Sequence, residues 1–162
     1  MPFWSQDFYR FIWDGNLIVD GTNPYLNTPN QIINATTINN AQELYNKMGT
    51  LSASHYSNYP PINQLFFAIS SFFGNHSIFI SALILKLIIL FSDIGNYHYG
   101  KKILLLINQN PKKIFLYFLN PLVLIELTGN LHFEGVMLFF FVVGLYLFLK
   151  EQHYAFKMKV SR

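Results

Sequence analysis

The stretch from Ser77 to Tyr99 constrains this chain more than any other feature. It contains IFISALILKLIILFSDIG, in which Lys86 and Asp93 are the charged residues. As a helix, Ile78 to Tyr99 reaches about 33 Å at ~1.5 Å per residue, enough to cross a hydrocarbon layer about 30 Å thick. Two shorter apolar stretches follow, Ile114 to Leu127 and Val136 to Leu149, and each reaches span length only with its flanks. Phe115, Tyr117, Phe118, Tyr146 and Phe148 suit the aromatic belts of a membrane interface. Composition agrees: 52% of the 162 residues are hydrophobic, 18% aromatic and 12% charged, against roughly 25% charged in a soluble domain. A buried soluble hairpin is the competing reading, but VMLFFFVVGLYLFL is apolar on every side. The predicted fold is all-α and membrane-helical, with about three transmembrane helices.

Basic residues orient those spans. Lys101, Lys102, Lys112 and Lys113 lie between the first two, and Lys150, Lys157, Lys159 and Arg162 follow the third. The positive-inside rule places both clusters in the cytoplasm, and two crossings between them make the assignments consistent. Thr128 to Gly135, and everything before Ser77, then lie outside. The predicted organisation is an outer (periplasmic) loop over 1–76, carrying interfacial helices, and a transmembrane helical region over 77–162. A net charge of +3 is too small to argue for nucleic acid. Cysteine is absent, so the chain forms no disulfide.

Within the outer region, Trp4 to Gly15 reads as an interfacial helix that Gly21 and Asn23-Pro24 terminate. A short helix is predicted around Ala41 to Met48. Pro60 and Pro61 are placed to open a helix over Ile62 to Phe73, too short to cross and predicted to lie in the interface. Asp7, Arg10 and Asp14 stand at i, i+3 and i+7, on one helical face, while Trp4, Phe8, Phe11 and Ile12 cover another. That acid–base–acid stripe is either a candidate site above the membrane or an ordinary solvated face. As the latter, its ion pair is worth ~0.5 kcal/mol.

A second candidate is ELTGNLHFEG. Glu126, His132 and Glu134 fall at or just below the outer end of a span, where ionisable groups are costly and suggest function. Gly129 and Gly135 allow a sharp turn. A plain polar hairpin loop is the alternative, and no spacing here matches a known metal-ligand pattern. Lys86 and Asp93, seven residues apart on one face, suit a structural role between helices as well as a functional one.

Together, SQDFYRFIWDGNLIVDGTNPY at Ser5 to Tyr25, YPPINQLFF at Tyr59 to Phe67 and NPLVLIELTGNLHFEG at Asn120 to Gly135 resemble the GT-C-fold glycosyltransferases. The nearest resemblance is to the bacterial polyprenol-phosphate-mannose-dependent mannosyltransferases of membrane type. Order and spacing agree over most of the chain. The family carries a span before its D-x-x-R-Y-x-W-D-G block and many spans afterwards, so the sequence reads as a piece of such a protein.

The resemblance implies an integral membrane enzyme of the bacterial inner membrane with its active side outward. It implies inverting transfer of a sugar from a polyprenyl-phosphate donor to an acceptor glycan or glycolipid, without a cofactor. Asp7 matches the family's acidic residue after the first span, which acts as base or electrostatic anchor, and Asp14 belongs to the same block. His132 and Glu134 match a histidine and an acid two residues beyond it. Arg10, Tyr59, Lys86, Asn130, His132 and Glu134 are the substrate-binding candidates, of which Arg10, His132 and Lys86 suit a phosphate through charge-assisted hydrogen bonds. A phosphate-lipid leaving group needs little acid help, so no metal is required. The competing function is non-enzymatic, a small membrane subunit or transporter fragment. A transporter needs polar groups along a path across the bilayer, whereas the acids here gather at one face.

Overall fold

The computed structural model describes residues 6–160. All regular structure among them is helical, as predicted. The chain divides into two compact units, Met1–Ile88 and Ile89–Arg162, with the division falling inside one long helix.

The first unit is built on α1 (Asp7–Val19) and α5 (Pro61–Gly74), with three short helices between them: α2 (Pro29–Ile32), α3 (Ala41–Lys47) and α4 (Gly49–Ser54). Asp7 stands in the first turn of α1, where a carboxylate complements the exposed amide ends of the helix. The helix stops where Gly21 takes φ 79°, a left-handed value that glycine adopts without penalty. The Gly21 and Thr22 amides then donate back to the carbonyls of Ile18 and Leu17. Pro61 opens α5, as the double proline predicts, and α3 occupies the position expected for it. Trp4, expected on the apolar face of the first helix, lies outside the described residues.

Helix α1 lies mostly inside its unit. Phe8, Phe11, Ile12, Trp13 and Leu17 are buried, and so are Arg10 and Asp14. The helix is enclosed on most sides because α5 crosses it very closely. A Cβ on Gly15 would lie 2.3 Å from the Phe67 carbonyl oxygen. Phe11 and Phe67 stack at 4.5 Å beside this crossing.

Helix α5 is inside-out. It turns Asn63, Gln64, Ser70, Ser71 and Gly74 inward with Phe67, and leaves Ile62, Leu65, Phe72 and Phe73 exposed, the last two 66% each. A water-facing helix reverses this pattern, so the outer face of α5 asks for apolar surroundings.

Helix α6 (Ile78–Leu106) is long and apolar enough to cross a membrane, and only 28% of its most apolar window is buried within the chain. Beyond it, the expected span over Ile114 to Leu127 is not a continuous helix. A 3-10 turn (Pro111–Ile114), the single turn α7 (Phe115–Phe118) and a π-helical turn (Val123–Gly129) replace it. Two Asn-Pro pairs explain the breaks. Asn110 Oδ1 accepts from the Lys112 amide at 2.9 Å and Asn120 Oδ1 from the Leu122 amide at 3.0 Å, so each pair begins a new turn.

The final helix, α8 (Glu134–Val160), meets the π-helical turn at 103°. The two pass the membrane-span criteria as one bent pair. Where three steeper helices were expected, one unbroken candidate span and one bent pair are found. The sharp turn expected at Gly129 and Gly135 falls instead on Leu131, which takes φ 61°.

Candidate functional site

Each unit gathers its own set of polar side chains. In the first, Arg10 Nε donates to Asp14 Oδ1 at 2.8 Å. Its Nη1 donates to the carbonyls of Ser52 and, at 3.0 Å, His55. Asp14 Oδ2 accepts from Ser57 Oγ at 2.6 Å and Gln64 Nε2 at 3.0 Å. The residue pair is 3% and 0% exposed, so the expected solvent-facing stripe is instead an interior network. One helix face supplies both charges because residues four apart share it. The polar face of α5 and the turn after α4 supply the remaining partners. A buried pair of this kind survives only where its lone pairs and N–H groups are satisfied. Here Arg10 Nη2 and Gln64 Oε1 are left without a partner, as is the neighbouring Trp13 Nε1.

Arg10 also forms the floor of an open cleft of about 470 Å³, walled by Ser52, His55, Ser57, Asn58 and Tyr59. The Tyr59 ring packs edge-on against Phe11 at 5.0 Å, and its carbonyl accepts from the Tyr25 hydroxyl at 2.6 Å. Burial, and then the nearby Asp14 charge, raises the Tyr25 hydroxyl above its ordinary pKa, which keeps it a donor. Asp7 is half-buried at the start of α1 and is not part of the cleft wall. Lys86 is half-buried on α6.

The second unit brings Asn130, His132 and Glu134 together around Glu126. Asn130 Nδ2 donates to Glu126 Oε2 at 3.2 Å. His132 Nε2 stands 3.7 Å from that oxygen, and its Nδ1 stands 3.4 Å from Glu134 Oε2. The imidazole is thus held between two carboxylates at the bend before α8. Glu126, already a candidate in the sequence, meets Asn130 and His132, and Glu134 joins the group through His132.

Sequence reasoning did not single out Ser57 and Gln64, which hold Asp14, nor Asn96, Tyr117 and Thr128. Asp93 Oδ2 accepts from Thr128 Oγ1 at 2.8 Å, and Asn96 Nδ2 donates to the Gly135 carbonyl at 3.2 Å. A signal for α5 was present: positions 63, 64, 70, 71 and 74 are polar or small at helical spacing within an apolar run.

Ile114 abuts Gly100 and Thr128 reaches Asp93, seven residues apart on α6, so the segment between them runs along about 10 Å of that helix.

Comparison with curated proteins gave no match, and neither did comparison with solved structures. A family model described as alpha-(1->6)-mannopyranosyltransferase, N-terminal domain, matches residues 1–161. This chain therefore belongs to the alpha-(1->6)-mannopyranosyltransferase N-terminal-domain family.

Proposed function

We propose that the chain serves inverting mannosyl transfer from a polyprenyl-phosphate donor to an acceptor hydroxyl at the outer membrane face. The observation that carries this reading is the family match over residues 1–161. The geometry supports it in two ways. The outward apolar face of α5 suits a helix lying at a membrane interface. Beside it, the Arg10 cleft offers an anion a guanidinium and the hydroxyls of Ser52 and Tyr59.

In the proposed step, the acceptor oxygen attacks the sugar's anomeric carbon and the bond from that carbon to the phosphate oxygen breaks. Polyprenyl phosphate leaves, and the acceptor's proton passes to a carboxylate. Asp7 is assigned as that base. Asp14 is assigned to positioning, since its two oxygens already accept from three side chains. Arg10 and Tyr59 are assigned to the donor's phosphate and sugar. Lys86 and the Asn130, His132 and Glu134 group are assigned to substrate.

Asp7→Asn keeps the shape of the side chain and removes its charge. A positioned base contributes about 10²- to 10⁴-fold, so kcat for sugar transfer from polyprenyl-phosphate-mannose falls by that factor, with unchanged protein level. A wild-type rate removes Asp7 from the mechanism.

The outward assignment rests on the basic clusters. A cysteine at Glu134 is expected to react with an impermeant thiol reagent in intact cells, and one at Asn108 only after permeabilisation. The reverse pattern inverts the topology.

A further inference from the structure

The second unit holds three buried polar atoms that its own chain leaves unpartnered: Asp93 Oδ1, Asn96 Oδ1 and the Tyr117 hydroxyl. Asn96 is 3% exposed, and the donation of its amide nitrogen to the Gly135 carbonyl fixes which of its ends lacks a partner. Asp93 uses one oxygen, on Thr128. Native interiors rarely leave such groups unmade, because each costs about 1–3 kcal/mol. Three in one unit point to a partner that the unit itself does not provide. Irregular backbone at membrane depth carries the same implication, since it persists where it is covered by protein or lines a wet cavity.

The three atoms define what would fit. Two are acceptors, and the third both donates and accepts. A hard cation takes six or more oxygens, and these residues supply half that number. Adjacent hydroxyl groups match them better. Aromatic rings gather around Tyr117: it lies edge-on to Phe118 at 5.0 Å, and Tyr97 lies edge-on to Phe118 at 5.8 Å. A ring with hydroxyls at its edge and C–H bonds on its face uses both surfaces.

Gly135 stands beside Asp93. A Cβ built there would lie 3.9 Å from Asp93 Oδ1 and 3.8 Å from the Leu127 Cβ, ordinary contacts that nevertheless fill the space beside the unpartnered oxygen.

We propose that Asp93, Asn96 and Tyr117, at the bend capped by Gly135, form a subsite for the hydroxyl groups of a hexose. The proposal rests on the sugar-transfer reading above, and the hexose belongs either to the donor or to the acceptor. The experiment measures sugar transfer in membranes carrying wild-type, Gly135→Ala or Asp93→Asn protein, varying donor and acceptor separately.

The subsite predicts a KM at least tenfold higher for one of the two substrates in both variants, with kcat within about twofold and the protein level unchanged. Which substrate responds identifies the source of the hexose. Gly135→Ala is decisive if Asp93→Asn fails to accumulate. A bend with only a structural role predicts the opposite, since alanine is the better helix former by about 1 kcal/mol and would leave both KM values alone. Unchanged KM values in Gly135→Ala, or a fall in kcat with neither KM altered, overturn the subsite while leaving the sugar-transfer reading intact. A wild-type protein that transfers no sugar overturns both.

Discussion

Asp14 and Asp93 are both carboxylates on apolar helices, and the chain treats them differently. Asp14 is fully enclosed in the first unit and accepts from Arg10, Ser57 and Gln64. Asp93, in the second, accepts from Thr128 and leaves its other oxygen without a partner. A buried carboxylate with a counter-charge and two further donors repays its desolvation through the fold itself. One with half its capacity unused does not, and its unused half is available for something else. Local satisfaction of hydrogen bonds, more than burial or charge, separates these two carboxylates.

The comparison can be broken most forcefully at Asp14. Asp14→Ala strands the Arg10 guanidinium in the interior, and removing one partner of a buried pair costs about 3–5 kcal/mol. Thermal unfolding in detergent is expected to show a large drop, or the protein not to accumulate. A variant as stable as wild type would mean that the network contributes nothing and that Asp14 is free for chemistry.

A smaller effect is expected at Gly15, where the close crossing of α1 and α5 brings Gln64 to Asp14. Gly15→Ala places a methyl group 2.3 Å from the Phe67 carbonyl oxygen. Overpacking of this kind costs roughly 1–3 kcal/mol, seen as a lower Tm. An unchanged Tm would show that the helices separate without cost, and that the Asp14 cradle is looser than the distances suggest.

Much of the first unit is legible in the sequence. Pro60-Pro61 marks the start of α5, Gly21 the end of α1, and the family-like blocks at both ends of the loop stand out unaided. Periodicity alone could not tell whether the Asp7, Arg10 and Asp14 stripe faces water or the interior. The answer lay in α5, whose polar residues share one face at 63, 64, 70, 71 and 74. A helix with an inward polar face needs polar partners, and α1 supplies them.

In the second unit, hydropathy suggested a crossing over Ile114 to Leu127. The two Asn-Pro pairs overrode it, because local capping bonds to Asn110 and Asn120 restart the helix twice within a short run. Asn96 carries no motif, and only the close approach of α6 to the bend gives it meaning.

The most direct test pairs the two aspartates in one preparation. Asp14→Asn and Asp93→Asn make the same chemical change, and each variant is measured for Tm and for KM in sugar transfer. The account predicts that Asp14→Asn lowers Tm, while Asp93→Asn leaves Tm near wild type and raises KM for one substrate at least tenfold. The opposite assignment, or a fall in Tm alone from both variants, would contradict it.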